Sequence, residues 1–268
     1  MSEPRTALIT GASSGLGASF ARQLAARGYQ LILVARRRER LEQLAAELGA
    51  RHRLNVEVLP ADLSQAAEVE RVVARIAGQP ALELLINNAG FGTTGPFAKS
   101  DPARQLDMIQ VHVIASVRLC QAALPGMIRR GRGGIINVSS LVALLPPLPG
   151  NVTYTATKSY LARFSEVLQL ELTDSGVRVQ ALCPGLTRTE FHSGPEFKDF
   201  GPARTPALLW MTADQVVSRS LKALESGRGG IYVPGWQNKL MVLLFGNRLV
   251  GPLAAAVAHR LWRASPRT

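Results

Sequence analysis

The chain has 268 residues, 47% apolar and 19% charged, with a net charge of +12. That length suits one large α/β domain and is marginal for two, and the composition suits a globular protein with a substantial core. The arginines are dispersed, with no run longer than Arg36-Arg37-Arg38, so a nucleic-acid tail is excluded and a basic surface or attraction for small anions or anionic lipid is left.

Two cysteines, Cys120 and Cys183, sit in apolar runs and read as buried free thiols. No disulfide framework is indicated, which fits a reducing compartment and a cytoplasmic location. The N-terminus enters a strand pattern without the charged-then-apolar layout of a signal peptide. No uninterrupted apolar run reaches the roughly 18 residues needed to span a bilayer.

The first strand pattern is Thr6–Thr10. It runs into Thr10-Gly11-Ala12-Ser13-Ser14-Gly15-Leu16-Gly17, which opens a helix over 15–27. Glycines let a pyrophosphate approach the backbone, and a helix N-terminus stabilises its charge. The spacing is GxxxGxG, not GxGxxG. A second strand over 31–36 ends in Arg36. A dinucleotide fingerprint would place an acid there for the ribose 2′-hydroxyl. Arg36 instead suits a 2′-phosphate through charge-assisted bonds, implying NADP(H) over NAD(H). Arg38 and Arg40 read as the exposed start of a helix over 39–48.

A strand over 56–59, Asp62-Leu63 and a helix over 66–76 follow. Next come a strand over 84–87, Asn87-Asn88-Ala89-Gly90 and a long helical pattern over 102–129. A strand over 134–138 ends at Ser139-Ser140, and a helix over 153–173 carries Tyr154-x-x-x-Lys158. Residues four apart share a helix face, and a cation beside a phenol favours the phenolate. The pair therefore reads as a proton-transfer unit with a lowered tyrosine pKa. A strand over 177–182, Pro184-Gly185, a helix over 213–225 and a strand over 230–233 complete the pattern.

The strands are rich in Val, Ile and Leu without alternation, as parallel strands buried on both faces are. Alternating strands and helices predict a doubly wound parallel sheet in one domain spanning 1–268. Two segments break the rhythm. Residues 186–210 form a long irregular loop with Phe191, Phe197, Phe200 and Trp210, the mark of a lid or binding loop. Residues 238–263 form an apolar extension with Arg248, His259, Arg260 and Arg263.

Taken in order, the glycine loop, Asn87–Gly90, Ser139-Ser140, Tyr154-x-x-x-Lys158 and Pro184-Gly185 resemble a short-chain dehydrogenase/reductase over about residues 5–235. The resemblance implies a Rossmann sheet in strand order 3-2-1-4-5-6-7. It implies Tyr154 as general acid/base, Lys158 on the nicotinamide ribose, and Ser140, rather than Ser139, on the substrate oxygen. Gly11, Ser13, Ser14, Gly15, Leu16 and Gly17 would hold the coenzyme phosphates. Asp62 and Leu63 would contact adenine, Asn88 would pack on the adenosine side, and Pro184, Gly185, Leu186 and Thr187 would orient the nicotinamide. Asp62 also reads as a simple helix N-cap. The Ser140–Tyr154 spacing is fourteen, one longer than the family pattern, across the proline-rich Leu144–Pro149.

One position departs from the family. Its kinking Asn, which anchors a relay water, is replaced by His112 in Gln110-Val-His-Val-Ile114. His112 could anchor the water through its carbonyl or its ring, or be a satisfied core histidine.

Leu141, Leu144, Leu145, Leu148, Phe191, Phe197, Phe200 and Trp210 predict an apolar pocket and a lipophilic ketone or alcohol as substrate. A homodimer or homotetramer through the helices over 102–129 and 153–173 is implied by the family. The extension would cover the pocket, pack on a subunit, or touch a membrane surface weakly. No metal and no nucleic acid are expected. The alternative to an oxidoreductase is a catalytically weak NADP(H)-binding sensor or scaffold, motivated by His112.

Overall fold

The computed structural model describes residues 5–193 and 205–246. Nine strands and eight α-helices run in the order β1 (Thr6–Thr10), α1 (Gly15–Ala25), β2 (Gln30–Ala35), α2 (Arg38–His52), β3 (Val56–Pro60), α3 (Ala66–Ala77), β4 (Leu82–Asn87), α4 (Pro102–Ile109), α5 (Ser116–Arg129), β5 (Gly133–Val138), α6 (Val152–Glu171), β6 (Val177–Leu182), β7 (Thr187–Arg188), β8 (Met211–Thr212), α7 (Ala213–Glu225), β9 (Gly230–Tyr232) and α8 (Trp236–Phe245), counted among the described residues. Seven strands form one parallel sheet in the order β3-β2-β1-β4-β5-β6-β9. This is the expected order, β9 being the seventh strand of the sheet. The two-residue β7 and β8 pair separately, closing the base of the loop over 186–210.

Period-two geometry explains the two layers. Leu8 packs on one face of the sheet and Ile9 on the other. The Ile9 face meets Phe20 and Leu24 of α1, Leu41, Leu44 and Leu48 of α2, and Val216 and Leu221 of α7. The Leu8 face meets Val69, Val72 and Ile76 of α3 and Leu119, Ala123 and Met127 of α5. Pro60 ends β3, an edge strand, where its missing N–H costs no ladder bond.

Among the described residues, two α-helix starts are capped by side chains. Asp101 accepts from the Ala103 N–H with Pro102 at the first helical position, and Thr212 and Gln215 form a capping box on α7. The helical pattern over 102–129 is divided by a π-turn at Gln110–Ala115. By length and composition this stretch could cross a membrane, with a mean hydropathy of 1.4 over its most apolar 18 residues. Its apolar stripe is instead spent on the core, through Met108, Val111, Ala115, Leu119, Cys120, Ala123 and Met127.

Strand order reverses between β1 and β4, which opens a crevice at their carboxyl ends. Thr10 holds that crevice together. Its Oγ1 accepts from the Asn88 N–H at 2.9 Å and the Ala89 N–H at 3.0 Å and donates to the Ile86 carbonyl at 3.2 Å. Thr10→Val keeps the shape and strands these groups, so it should lower unfolding stability by about 1–3 kcal/mol. Urea denaturation tests this, and an unchanged midpoint would refute it.

Candidate active site

The glycine loop leaves β1 at the crevice. The Asn88 amide donates to the Thr10 carbonyl at 2.9 Å and the Gly11 carbonyl at 3.2 Å, tying the loop to the end of β4. A Cβ on Gly17 would stand 2.2 Å from the Gly11 carbonyl oxygen, so only glycine fits this turn. Ser14 is the N-cap of α1, yet no side chain caps its first turn. Uncapped N–H groups at a helix N-terminus suit an anion. The Ser13 and Ser14 hydroxyls stand beside that turn.

Arg36, favoured from sequence for a 2′-phosphate, is exposed. The arginine that the fold brings to the loop is Arg37. Its Nη2 donates to Ser13 Oγ at 3.0 Å and Ser14 Oγ at 2.9 Å, and its Nε to Ser13 Oγ at 3.2 Å. Arg37 also donates from Nη1 to Glu190 Oε2 at 3.0 Å, and Arg40 from Nη1 to Glu190 Oε1 at 2.5 Å. Arg40, read as helix surface, thus faces the loop that begins at residue 186. Strand β2 ends at Ala35, one residue before the end of its sequence pattern. Arg38 lies outside the cluster, paired with Glu42. The donor set of serine hydroxyls, guanidinium groups and an uncapped helix start fits a phosphorylated dinucleotide.

Asp62 uses one carboxylate oxygen locally, accepting from the Ser64 N–H at 3.0 Å and the Ser64 hydroxyl at 2.9 Å. It is not the N-cap of α3, which is Gln65. The Leu63 side chain is buried in the core beneath, leaving its backbone as the part available to an adenine. Pro184 accepts the Leu141 N–H at 2.9 Å, Leu186 accepts the Met211 N–H at 3.0 Å, and the Thr187 hydroxyl donates to the Gly185 carbonyl at 3.0 Å. Gly185 lies against buried Asn238 of α8.

The two serines after β5 are used differently. Ser139 donates to the Lys158 carbonyl at 2.6 Å and so fastens α6 to the sheet. Ser140 is hydrogen-bonded to the Tyr154 phenol. Lys158 is buried, and its Nζ donates to the Val138 carbonyl at 2.8 Å and lies 5.8 Å from the centre of the Tyr154 ring. Here the sequence reading of the phenol is corrected. Burial pushes Tyr154 up to about 12, only partly offset by the Ser140 hydrogen bond. Burial likewise pulls Lys158 down to about 8. Desolvation penalises both charged forms and exceeds the attraction that the spacing alone suggested. Tyr154 is therefore a neutral acid through the physiological range.

His112 lies in the π-turn and is fully buried. Its Nε2 accepts from the Phe91 N–H at 3.2 Å, so Nδ1 carries the proton and meets Thr157 Oγ1 at 2.9 Å. Thr157 in turn donates to the Tyr154 carbonyl at 3.0 Å. Burial and the charge of Lys158 hold the imidazole well below its usual pKa, and hence neutral. Both ring nitrogens are thus engaged by protein, so the ring is not what anchors a relay water. A Cβ on Gly90 would come 2.7 Å from His112 Nε2 and 3.5 Å from Lys158 Nζ, so this glycine admits both side chains.

Of the residues expected to line an apolar pocket, Phe191 is seen against the site. Leu141 and Trp210 are buried, Leu148 is exposed, and Phe191 packs on the Tyr154 ring with centroids 5.8 Å apart. Phe197, Phe200 and the extension beyond residue 246 lie outside the described residues.

Residues 5–196 match the family described as short chain dehydrogenase. An uncharacterised oxidoreductase of Myxococcus xanthus is 33% identical over 258 residues, covering 96% of this chain and 97% of that protein. A short-chain dehydrogenase from Sphingobium yanoikuyae, solved in complex with NADPH, aligns with a TM-score of 0.79 at 32% identity, over 98% of this chain and 97% of that one. A bulky-bulky ketone specific alcohol dehydrogenase from Comamonas testosteroni aligns at 0.76 and 29% identity, over 100% and 96%. With this sheet order and a Ser–Tyr–Lys group at its crevice, the chain belongs to the short-chain dehydrogenase/reductase family of nicotinamide-dependent oxidoreductases.

Proposed function

We propose that the protein interconverts a lipophilic ketone and its secondary alcohol with NADP(H), using Tyr154 as general acid/base. The observation that carries this reading is the meeting of Tyr154, Ser140 and buried Lys158 at the sheet edge where the glycine loop begins. NADP(H), when bound, supplies or accepts the hydride. In reduction, the Ser140 hydroxyl holds the carbonyl oxygen and Tyr154 gives it a proton. Lys158 keeps a positive charge beside the phenol as that proton leaves. Ser13, Ser14 and Arg37 hold the 2′-phosphate end.

Leu141, Leu144, Phe191 and Trp210 support an apolar substrate. The end of α8 comes against the Leu144 carbonyl, so the start of the extension contributes to the same wall. The ketone specificity of the Comamonas relative agrees with a bulky substrate.

The protein is further proposed to be a homo-oligomer joined through the helical stretch over 102–129 and α6. Leu106, Ile109, Ile114, Tyr160, Val167 and Leu170 are exposed on these elements, an excess that a second copy would cover. Leu170→Arg should shift size-exclusion elution to the monomer, and an unchanged profile would exclude α6 from the interface.

Tyr154→Phe should lower turnover by about 10²–10⁴-fold while NADPH affinity stays the same. A sensor without catalysis would bind NADPH, and neither wild type nor variant would oxidise it over a panel of lipophilic ketones. The pH profile gives an independent check. Lys158 is charged below about 8 and Tyr154 stays protonated to about 12. Reductive kcat/KM should therefore be flat through neutrality and fall above pH 8, and Lys158→Met should lose that inflection. A wild-type profile flat to about pH 10 would remove Lys158 from the proton-transfer step.

A further inference from the structure

The segment that follows β7 touches both ends of the site. A Cβ on Gly15 of the glycine loop would lie 3.2 Å from the Thr189 side chain. Glu190 is bonded to Arg37 and Arg40, and Phe191 rests on the catalytic phenol. Three consecutive residues thus bear on the phosphate loop, the arginine pair and Tyr154. Arg37 also holds Ser13 and Ser14, so each of its three guanidinium nitrogens is bonded to the loop or to Glu190.

We infer that Glu190 sets coenzyme selectivity, by competing with the coenzyme's 2′-phosphate for Arg37 and Arg40. This rests on the NADP(H) reading above and goes beyond it. A carboxylate and a phosphate cannot share two guanidinium groups without strong like-charge repulsion, because a phosphate monoester carries about −1.5 to −2 charges. Glu190 is held firmly as the anion, since Arg40 and Arg37 keep its carboxyl below the usual value. NADPH must displace that anion, whereas NADH has no 2′-phosphate to set against it. Phe191 follows Glu190 in the chain, so displacement of Glu190 also moves the side chain covering Tyr154. The 2′-phosphate then acts on substrate access as well as on coenzyme affinity.

Isothermal titration with NADPH and with NADH tests this on wild type, Glu190→Gln, Glu190→Ala and Arg37→Ala, with melting temperatures to verify folding. Glu190→Gln and Glu190→Ala should bind NADPH about five- to tenfold tighter than wild type at low salt, with NADH affinity unchanged, and the gain should shrink at about 0.5 M salt as screening grows. If wild type prefers NADPH, Arg37→Ala removes that preference, and Glu190→Gln binds NADPH no tighter, the Glu190 proposal fails and the coenzyme reading stands. If wild type shows no preference for NADPH and Arg37→Ala changes nothing, both fail.

Discussion

A single buried ammonium constrains the candidate catalytic end of this molecule. Lys158 carries its charge into a dry space with one carbonyl, that of Val138, as its hydrogen-bond acceptor among the described residues. The titratable groups beside it are neutral and so bring neither a second cation nor a counter-charge. His112 stays neutral, with one nitrogen accepting and the other donating. Tyr154 stays protonated, and Cys183 is pushed up to about 12 by burial, so it remains a thiol. Gly90 presents no Cβ where His112 and Lys158 converge. A second cation or a bulkier residue in this space would drive the ammonium to lose its proton, and the phenol would lose its charged neighbour.

The coenzyme end is organised by backbone rather than by burial. Thr10 and Asn88 tie β1 to β4 at the reversal of strand order, and the glycine loop springs from that tie. Its shape therefore depends on the sheet, not on a ligand. The arginines around it are surface groups, and their geometry is set by partners that are far away in sequence. The two ends differ in character accordingly, one buried around a single cation, the other exposed with several charges.

Much of this was legible in the sequence because the relevant chemistry is local there. The glycine spacing, the Tyr154–Lys158 turn and the unalternating strands each lie within a few consecutive residues. Where the reading fell short, the deciding partner was remote or the deciding quantity was burial. The bonds of Arg37 to Ser13 and Ser14, 24 and 23 residues away, appear only in the folded chain. The tyrosine pKa moves upward because desolvation outweighs a cation one helical turn away, and desolvation is not written in spacing. The engagement of the His112 ring by Phe91 and Thr157, 21 and 45 residues distant, appears only once the chain is folded. Glu190 stands about 150 residues from its arginines and carries no motif.

The π-turn at Gln110–Ala115 has a consequence for how this stretch can change. Such a turn amounts to one extra residue wound into an α-helix. Removing a residue there would let the turn close as regular α-helix with α4 and α5 keeping their places, whereas removing one from within α5 would rotate everything beyond it by about 100°, the angle of one residue. In the first case Leu119, Cys120, Ala123 and Met127 stay on the sheet; in the second those beyond the deletion swing away from it together. The irregularity is therefore a place where this stretch can change its length without the face of α5 being rewritten.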